Sequence, residues 1–291
     1  MTDTSAAPTA RRGEIAGWPK LVITYPTAAG RIADLLPTGI EPTGDDTVQI
    51  GIYCVPIQGE PEYGVSIKVP ASWQGVDGQY NLGMGIDQEA AVFISGERNG
   101  QPKFLCDIDY YRLGDTVGAR ATHQGYTFVE YHGTVTGEAT PGPEYTEHEW
   151  WTKYSRAIGG GEGFDFGPVV VDVATTMEPV HVENLDGTLT LLDSPWDPVA
   201  RHLPMAGDPH ATLVTHRMKA RDITNAGPLD PERFLSHADV IGGSRWPGTS
   251  GGPQIPSGPA ATNRTRHQDT PRSSGAGKSD SPSSPAGSPS R

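Results

Sequence analysis

Gly96-Glu97-Arg98-Asn99-Gly100-Gln101-Pro102-Lys103-Phe104-Leu105-Cys106-Asp107 is the run on which the reading of this chain turns. Glycines and polar residues mark a turn, a proline ends it, and an apolar strand follows. Lys103 stands where the turn gives way to the strand. A primary amine held against apolar neighbours loses solvation, which favours its neutral form and makes it a nucleophile. Taken alone, the stretch reads more plainly as a hairpin tip with a surface lysine, because lysine is mostly exposed.

Working outward, 291 residues accommodate one large domain or two small ones. Hydrophobic content is low at 35%, while 37 glycines and 27 prolines are many, as expected when part of a chain does not fold. Residues 1–14 are small, polar and proline-broken, and residues 247–291 collapse into Gly, Ser and Pro. Both are expected to be disordered tails around one folded domain at 15–246. The second tail carries about +3 and the remainder about −16, giving the net −13. That acidity argues against a nucleic-acid partner. Cys54 and Cys106 lie in apolar runs and read as buried thiols, which points to a reducing compartment. No apolar stretch has the length of a membrane span, and the first residues lack a hydrophobic leader core. A soluble, cytoplasmic protein without a membrane partner is expected, and the sequon at Asn263 carries no weight.

Apolar alternation predicts strands at 18–25, 48–56, 63–69, 80–86, 90–95, 116–122, 126–136, 169–175, 181–184 and 188–192, with another beginning at 210. On the 63–69 strand Lys68 falls opposite the apolar face, towards solvent. Helical spacing predicts helices at 28–36, 147–158, 196–203 and 231–240. Many short strands and few helices imply an α+β protein, mainly antiparallel sheet or barrel with helices at its edges.

Seven of the histidines (123, 132, 148, 181, 202, 210 and 216) fall into no metal-binding spacing, so no metal is expected. Gly159–Gly163 lacks a following Lys-Ser/Thr, and no Gly-x-Ser-x-Gly elbow occurs. Lysine is left as the candidate nucleophile. Of six, Lys153, Lys219 and Lys278 sit among polar residues or in the tail. Lys20, in Trp18-Pro19-Lys20-Leu21-Val22-Ile23, follows a proline and precedes an apolar run just as Lys103 does. Residue type and context do not separate the two.

Their surroundings do. Ala71-Ser72-Trp73-Gln74-Gly75-Val76-Asp77-Gly78-Gln79-Tyr80, then Asp87-Gln88-Glu89-Ala90-Ala91, then Glu97 and Pro102-Lys103, run collinear with segments of the acetoacetate decarboxylase family. Those segments are an aromatic-Asn-Gly…Gly-Asp-Tyr run, Asp-Asn-Glu-Pro-Ala, Gly-Arg-Glu and Pro-Lys-Lys. Tyr25-Pro26-Thr27 and Leu189–Pro195 fit as well, so the chain resembles the family over residues 17–245. The resemblance implies a cone-like antiparallel barrel with outer helices, in a homo-oligomer, and no cofactor. It also implies that Lys103 is the Schiff-base lysine, acting on a small keto acid or ketone.

Departures from the family pattern matter as much. The second lysine of Pro-Lys-Lys is Phe104 here, so desolvation must lower the Lys103 pKa without an adjacent charge. The family's substrate arginine falls at Trp18, and its two glutamates fall near Gly51 and near Gly64 or Val65. Glu62, Glu60 and Glu97 are therefore the acid–base or substrate-contact candidates, with Phe104, Trp18 and Trp73 around the pocket. Loss of the arginine removes a partner for a substrate carboxylate. The expected activity is a decarboxylase-like lyase. An aldolase, dehydratase or cyclase using the same lysine, perhaps in secondary metabolism, and a non-catalytic small-molecule-binding member of the fold are the alternatives.

Overall fold

The computed structural model describes residues 19–57, 59–238 and 244–247. The two tails, Trp18 and the end of the last expected helix lie outside the described residues.

Twelve strands dominate: β1 Lys20–Pro26, β2 Glu41–Pro42, β3 Thr47–Ile57, β4 Glu60–Trp73, β5 Val76–Ile86, β6 Lys103–Leu105, β7 Asp107–Leu113, β8 Thr116–His123, β9 Tyr126–Ala139, β10 Tyr145–Arg156, β11 Phe164–Leu191 and β12 His210–Pro228. Among the described residues three α-helices accompany them: α1 Glu89–Asn99, α2 Val199–His202 and α3 Pro231–Ala238. Pairing runs β10-β5-β4-β3-β1-β12-β11-β9-β8-β7, and β10 also pairs with β11. Seven strands thus form a closed circuit. It is an irregular cone rather than a regular barrel, because β5 and β10 meet in parallel over only the pairs Glu149↔Gln79 and Trp150↔Tyr80. β6 lies parallel to β5 at the edge, with Met84↔Lys103 and Gly85↔Phe104 in register.

Closure buries, wholly or in part, both faces of β1, β3, β4 and β5 along most of their length. On one, Leu21, Ile23, Ile50, Ile52, Val65, Ile67 and Phe104 form the apolar core. The β7–β9 strands cover that face: Tyr110 donates a hydrogen bond to the Pro19 carbonyl at 3.0 Å, and Phe128 packs on Phe104. The opposite face looks into the cone and carries Lys20, Gly51, Tyr53, Glu62, Gly64, Ser66, Lys68 and Lys103 by strict alternation.

That second buried face corrects several expectations. Lys68 does not point to solvent; it is buried, because the face opposite the core is enclosed by the circuit. The helix expected at 147–158 is instead strand as far as Arg156, in β10, which is flanked by β5 and β11, with Ile158 opening a 3₁₀ turn beyond it. Its Glu149–Thr152 run is buried on both sides, which hides the strand alternation that the sequence would otherwise show. The expected strand at 90–95 is part of α1, and the presumed turn at 96–100 is that helix's end. Gly100 stops it in the left-handed conformation at φ 67°, donating to the Gly96 carbonyl. The helix expected at 28–36 shrinks to a single 3₁₀ turn, Ala33–Leu35, between Gly30 at φ 80° and Pro37. Three expected strands at 169–192 merge into the one long β11, which passes Pro179 through a register shift.

Gly100 holds the junction between α1 and the Lys103 strand. A Cβ there would stand 2.5 Å from Lys153 Cβ and 2.6 Å from the Thr152 carbonyl oxygen. Gly100→Ala is expected to lower stability by more than about 1 kcal/mol, read from the urea midpoint at unchanged m-value.

Candidate active site

Lys103 opens β6 with its side chain directed into the cone, while Phe104 turns to the core. Phe104 stacks on His123 at 4.4 Å between ring centroids, and His123 Nδ1 is 2.7 Å from Asp197 Oδ2 in a fully buried pair. Gly83 and Gly85 leave room for this packing, since a Cβ on either would press on Phe104 or Cys106. The three-residue strand is thereby pinned from its outer side, and alternation aims Lys103 inward.

The amine meets Glu62, whose Oε2 is 3.3 Å from Nζ and Oε1 3.5 Å. Both side chains are buried, at 7% and 4% exposure, so the pair is largely desolvated. Burial lowers the Lys103 pKa below its ordinary value; Glu62 opposes that shift and the positive charge of Arg221 reinforces it. Across the sheet Tyr53 pairs with Gly64, and its ring fills the space that a Gly64 side chain would need. Burial, then the carboxylates of Glu62 and Glu149, push the Tyr53 phenol far above its usual range, so it stays a donor.

A second charged group lies deeper on the same face. Lys68 Nζ is 2.5 Å from a carboxylate oxygen of Glu147 and of Glu149. Glu149 also accepts from Asn81 Nδ2 and from the Trp151 indole. Desolvation alone would raise the Glu149 carboxyl, but the charge of Lys68 and the hydrogen bonds from Lys68, Asn81 and Trp151 outweigh it and hold it at about 2. Burial alone would likewise lower the Lys68 ammonium, and the two carboxylates instead raise it well above its normal value.

Of the residues named from sequence, the structure brings together Lys103 and Glu62. Glu60 is exposed at the start of β4, beside a depression of about 440 Å³ formed with Ile57, Pro61, Asp87 and Gln88. No lysine lines that depression. Glu97 lies exposed on α1. Phe104 is a core residue and does not line the pocket, because neighbours on a strand face opposite sides. Trp73 lies at the far end of β4, where its indole donates to the Ala226 carbonyl at 3.3 Å. Sequence reasoning missed Tyr53, Glu147, Glu149 and Arg221. Tyr53 was legible in principle from its register on β3, given that the sheet closes. Among the described residues no group of three or more His, Cys, Asp or Glu is placed to hold a metal, and no helix is long and apolar enough to cross a membrane.

A cone of antiparallel strands carrying a desolvated amine against a carboxylate on its inner face defines a narrow class of proteins. Within it, the chain belongs to the acetoacetate decarboxylase family, whose profile matches residues 2–225. Among curated proteins none matches this sequence. Solved structures share the fold at 16% identity: an acetoacetate decarboxylase, TM-score 0.58, over 72% of this chain and 87% of that one. An acetoacetate decarboxylase-like enzyme from Sphingomonas wittichii RW1 has TM-score 0.58 at 16% identity, covering 73% and 91%. The enduracididine biosynthesis enzyme MppR, complexed with the condensation product of pyruvate and imidazole 4-carboxaldehyde, has TM-score 0.56 at 16% identity, covering 71% and 87%.

Two outcomes test this electrostatic picture. Glu149 has a folded-state pKa depressed from near 4.5 to about 2, so it contributes stability above pH 4.5 that is lost as pH falls towards 2. An acid titration followed by circular dichroism should show that loss, on the order of 2–3 kcal/mol, reduced in Glu149→Gln. Removing the carboxylate that opposes the Lys103 shift, by Glu62→Gln, should move the pH midpoint of Lys103 modification downward by roughly one unit.

Proposed function

We propose that the protein is a Schiff-base-forming carbon–carbon lyase acting on a small keto acid or ketone through Lys103. The observation that carries this reading is the buried Lys103 amine 3.3 Å from Glu62, at the end of the collinear family segments. Burial favours the neutral form of the amine, and Glu62 is placed to take its proton. The nitrogen attacks the substrate carbonyl carbon, the carbinolamine loses water, and an iminium remains. Cleavage of the neighbouring carbon–carbon bond sends its electron pair into that cation, releasing carbon dioxide from a 3-keto acid. The enamine is then protonated on carbon, with Glu62 or the Tyr53 hydroxyl as donor, and hydrolysed from Lys103. Arg221 supplies positive charge on this side of the cone, in place of the arginine that the family carries where this chain has Trp18.

A second reading is favoured by Glu62 itself. A carboxylate beside the amine can shuttle protons through an enamine that adds to an aldehyde and loses water, and MppR is complexed with such a condensation product. Release of carbon dioxide from acetoacetate supports decarboxylation; loss of water from a larger keto substrate without it supports condensation or dehydration.

Borohydride added with acetoacetate or pyruvate should trap a covalent adduct that peptide mass mapping places on Lys103. Lys103→Met should abolish both the adduct and turnover while the protein stays folded. Turnover surviving in Lys103→Met would sink the proposal.

A further inference from the structure

β1 carries another amine that this mechanism does not use. Lys20 shares the inner face, with its stem lying over Gly51. A Cβ at position 51 would come within 2.2 Å of Lys20 Cε and 2.8 Å of Nζ, so the glycine keeps the lysine's place open. Lys20 lines a cavity of about 250 Å³ whose walls include Val22, Met177, Val182 and Val214 on the apolar side and Glu147 and His216 on the polar side. That is slightly below the roughly 300–1,000 Å³ typical of small-molecule sites, and the walls are mainly apolar.

Among the described residues no carboxylate pairs with Lys20, because Lys68 holds both neighbouring ones, Glu147 and Glu149. Burial, and then the charge of Lys68, bring the Lys20 amine from the usual lysine range down to about 8. His216, whose Nε2 is 3.2 Å from the Tyr145 hydroxyl, is held below its normal range by burial and by Lys20, which favours the uncharged imidazole. Charge in this part of the cone is therefore balanced: Lys20 and Lys68 against Glu147 and Glu149. A ligand bringing its own carboxylate would leave one negative charge in excess inside a poorly solvated space. Turning a protonated amine into a protonated imine leaves the charge unchanged.

We propose that Lys20 is a second carbonyl-reactive amine, and that its cavity takes a small, uncharged ketone or aldehyde with apolar substituents. The lone pair of the neutral amine forms a bond to the carbonyl carbon while the π pair moves to oxygen. The carbinolamine then takes up one proton from solvent and expels one water, leaving an iminium on Nζ. The inference does not depend on the reading of Lys103.

The test uses the full chain at pH 7.5 with cyanoborohydride and either 2-pentanone or 4-oxopentanoate, two methyl ketones of equal carbon number, the second ending in a carboxylate. Mass mapping should find Lys20 alkylated by 2-pentanone about tenfold faster than the surface Lys219, because far more of its amine is neutral. 4-Oxopentanoate should react several-fold more slowly at Lys20, and the 2-pentanone rate should climb with pH and level off above about 8. Lys20→Arg, verified as folded by circular dichroism, should lose the fast phase. The proposal is overturned if Lys20 reacts no faster than Lys219, or if the two ketones react equally there. Labelling of Lys103 alone also overturns it while leaving the Lys103 reading intact; labelling of Lys20 alone does the reverse.

Discussion

Closure of the sheet is the constraint on which everything else depends. An open antiparallel sheet can leave one face in water, and charges there need no partner. Once β10 joins β5 to β11, the face opposite the apolar core becomes an interior with its own rules. Each charge inside must be paired, neutralised or put to chemical use. Among the described residues Lys68 is paired twice over, Lys103 has one carboxylate at 3.3 Å, and Lys20 has none. The three lysines of one sheet face thus form a series of decreasing compensation. Desolvation is the largest influence on each, but only for Lys68 do the carboxylates overcome it.

The core side of the sheet matters to this chemistry although it touches none of it. β6 is too short to hold its own register through backbone pairing alone. The Phe104 ring on His123, and His123 on Asp197, anchor it from behind. The residue after Lys103 therefore acts by packing and not by charge. A cation at position 104 would face the core, not the amine. Sequence adjacency and spatial adjacency part company here, and the lowered pKa of Lys103 comes first from burial.

Much of this was legible in the residues and some of it was not. The collinear run from Ala71 to Lys103 located the amine and its strand, and Glu62 was among the carboxylates named for it. β10 was read as a helix because Trp150, Tyr154 and Ile158 happen to repeat at helical spacing, and a strand buried on both faces shows no alternation to contradict that. α1 was read as strand because Val92, Phe93 and Ile94 are apolar and β-prone, yet no residue of that helix is buried. Lys68 was misplaced for the deeper reason that a strand pattern tells which residues share a face, not whether that face is wet. Glu147 and Glu149 went unseen for the same reason: their role exists only once the circuit closes.

Gly51 and Gly64 stand in or beside the positions where the family resemblance places its glutamates, and neither vacancy is empty. Lys20 occupies one and Tyr53 the other. At Gly64 the contact is with the Tyr53 ring, so a side chain there and the tyrosine exclude one another; at Gly51 it is with the far end of Lys20 and the Ser66 hydroxyl, so a side chain there would displace the amine. A carboxylate at position 64 therefore requires position 53 to shrink first, whereas one at position 51 moves the amine from its present place. Such ordering ties β3 to β4, and the place of the β1 amine to β3, into paired heritable units, so this arrangement is guarded by epistasis as well as by packing.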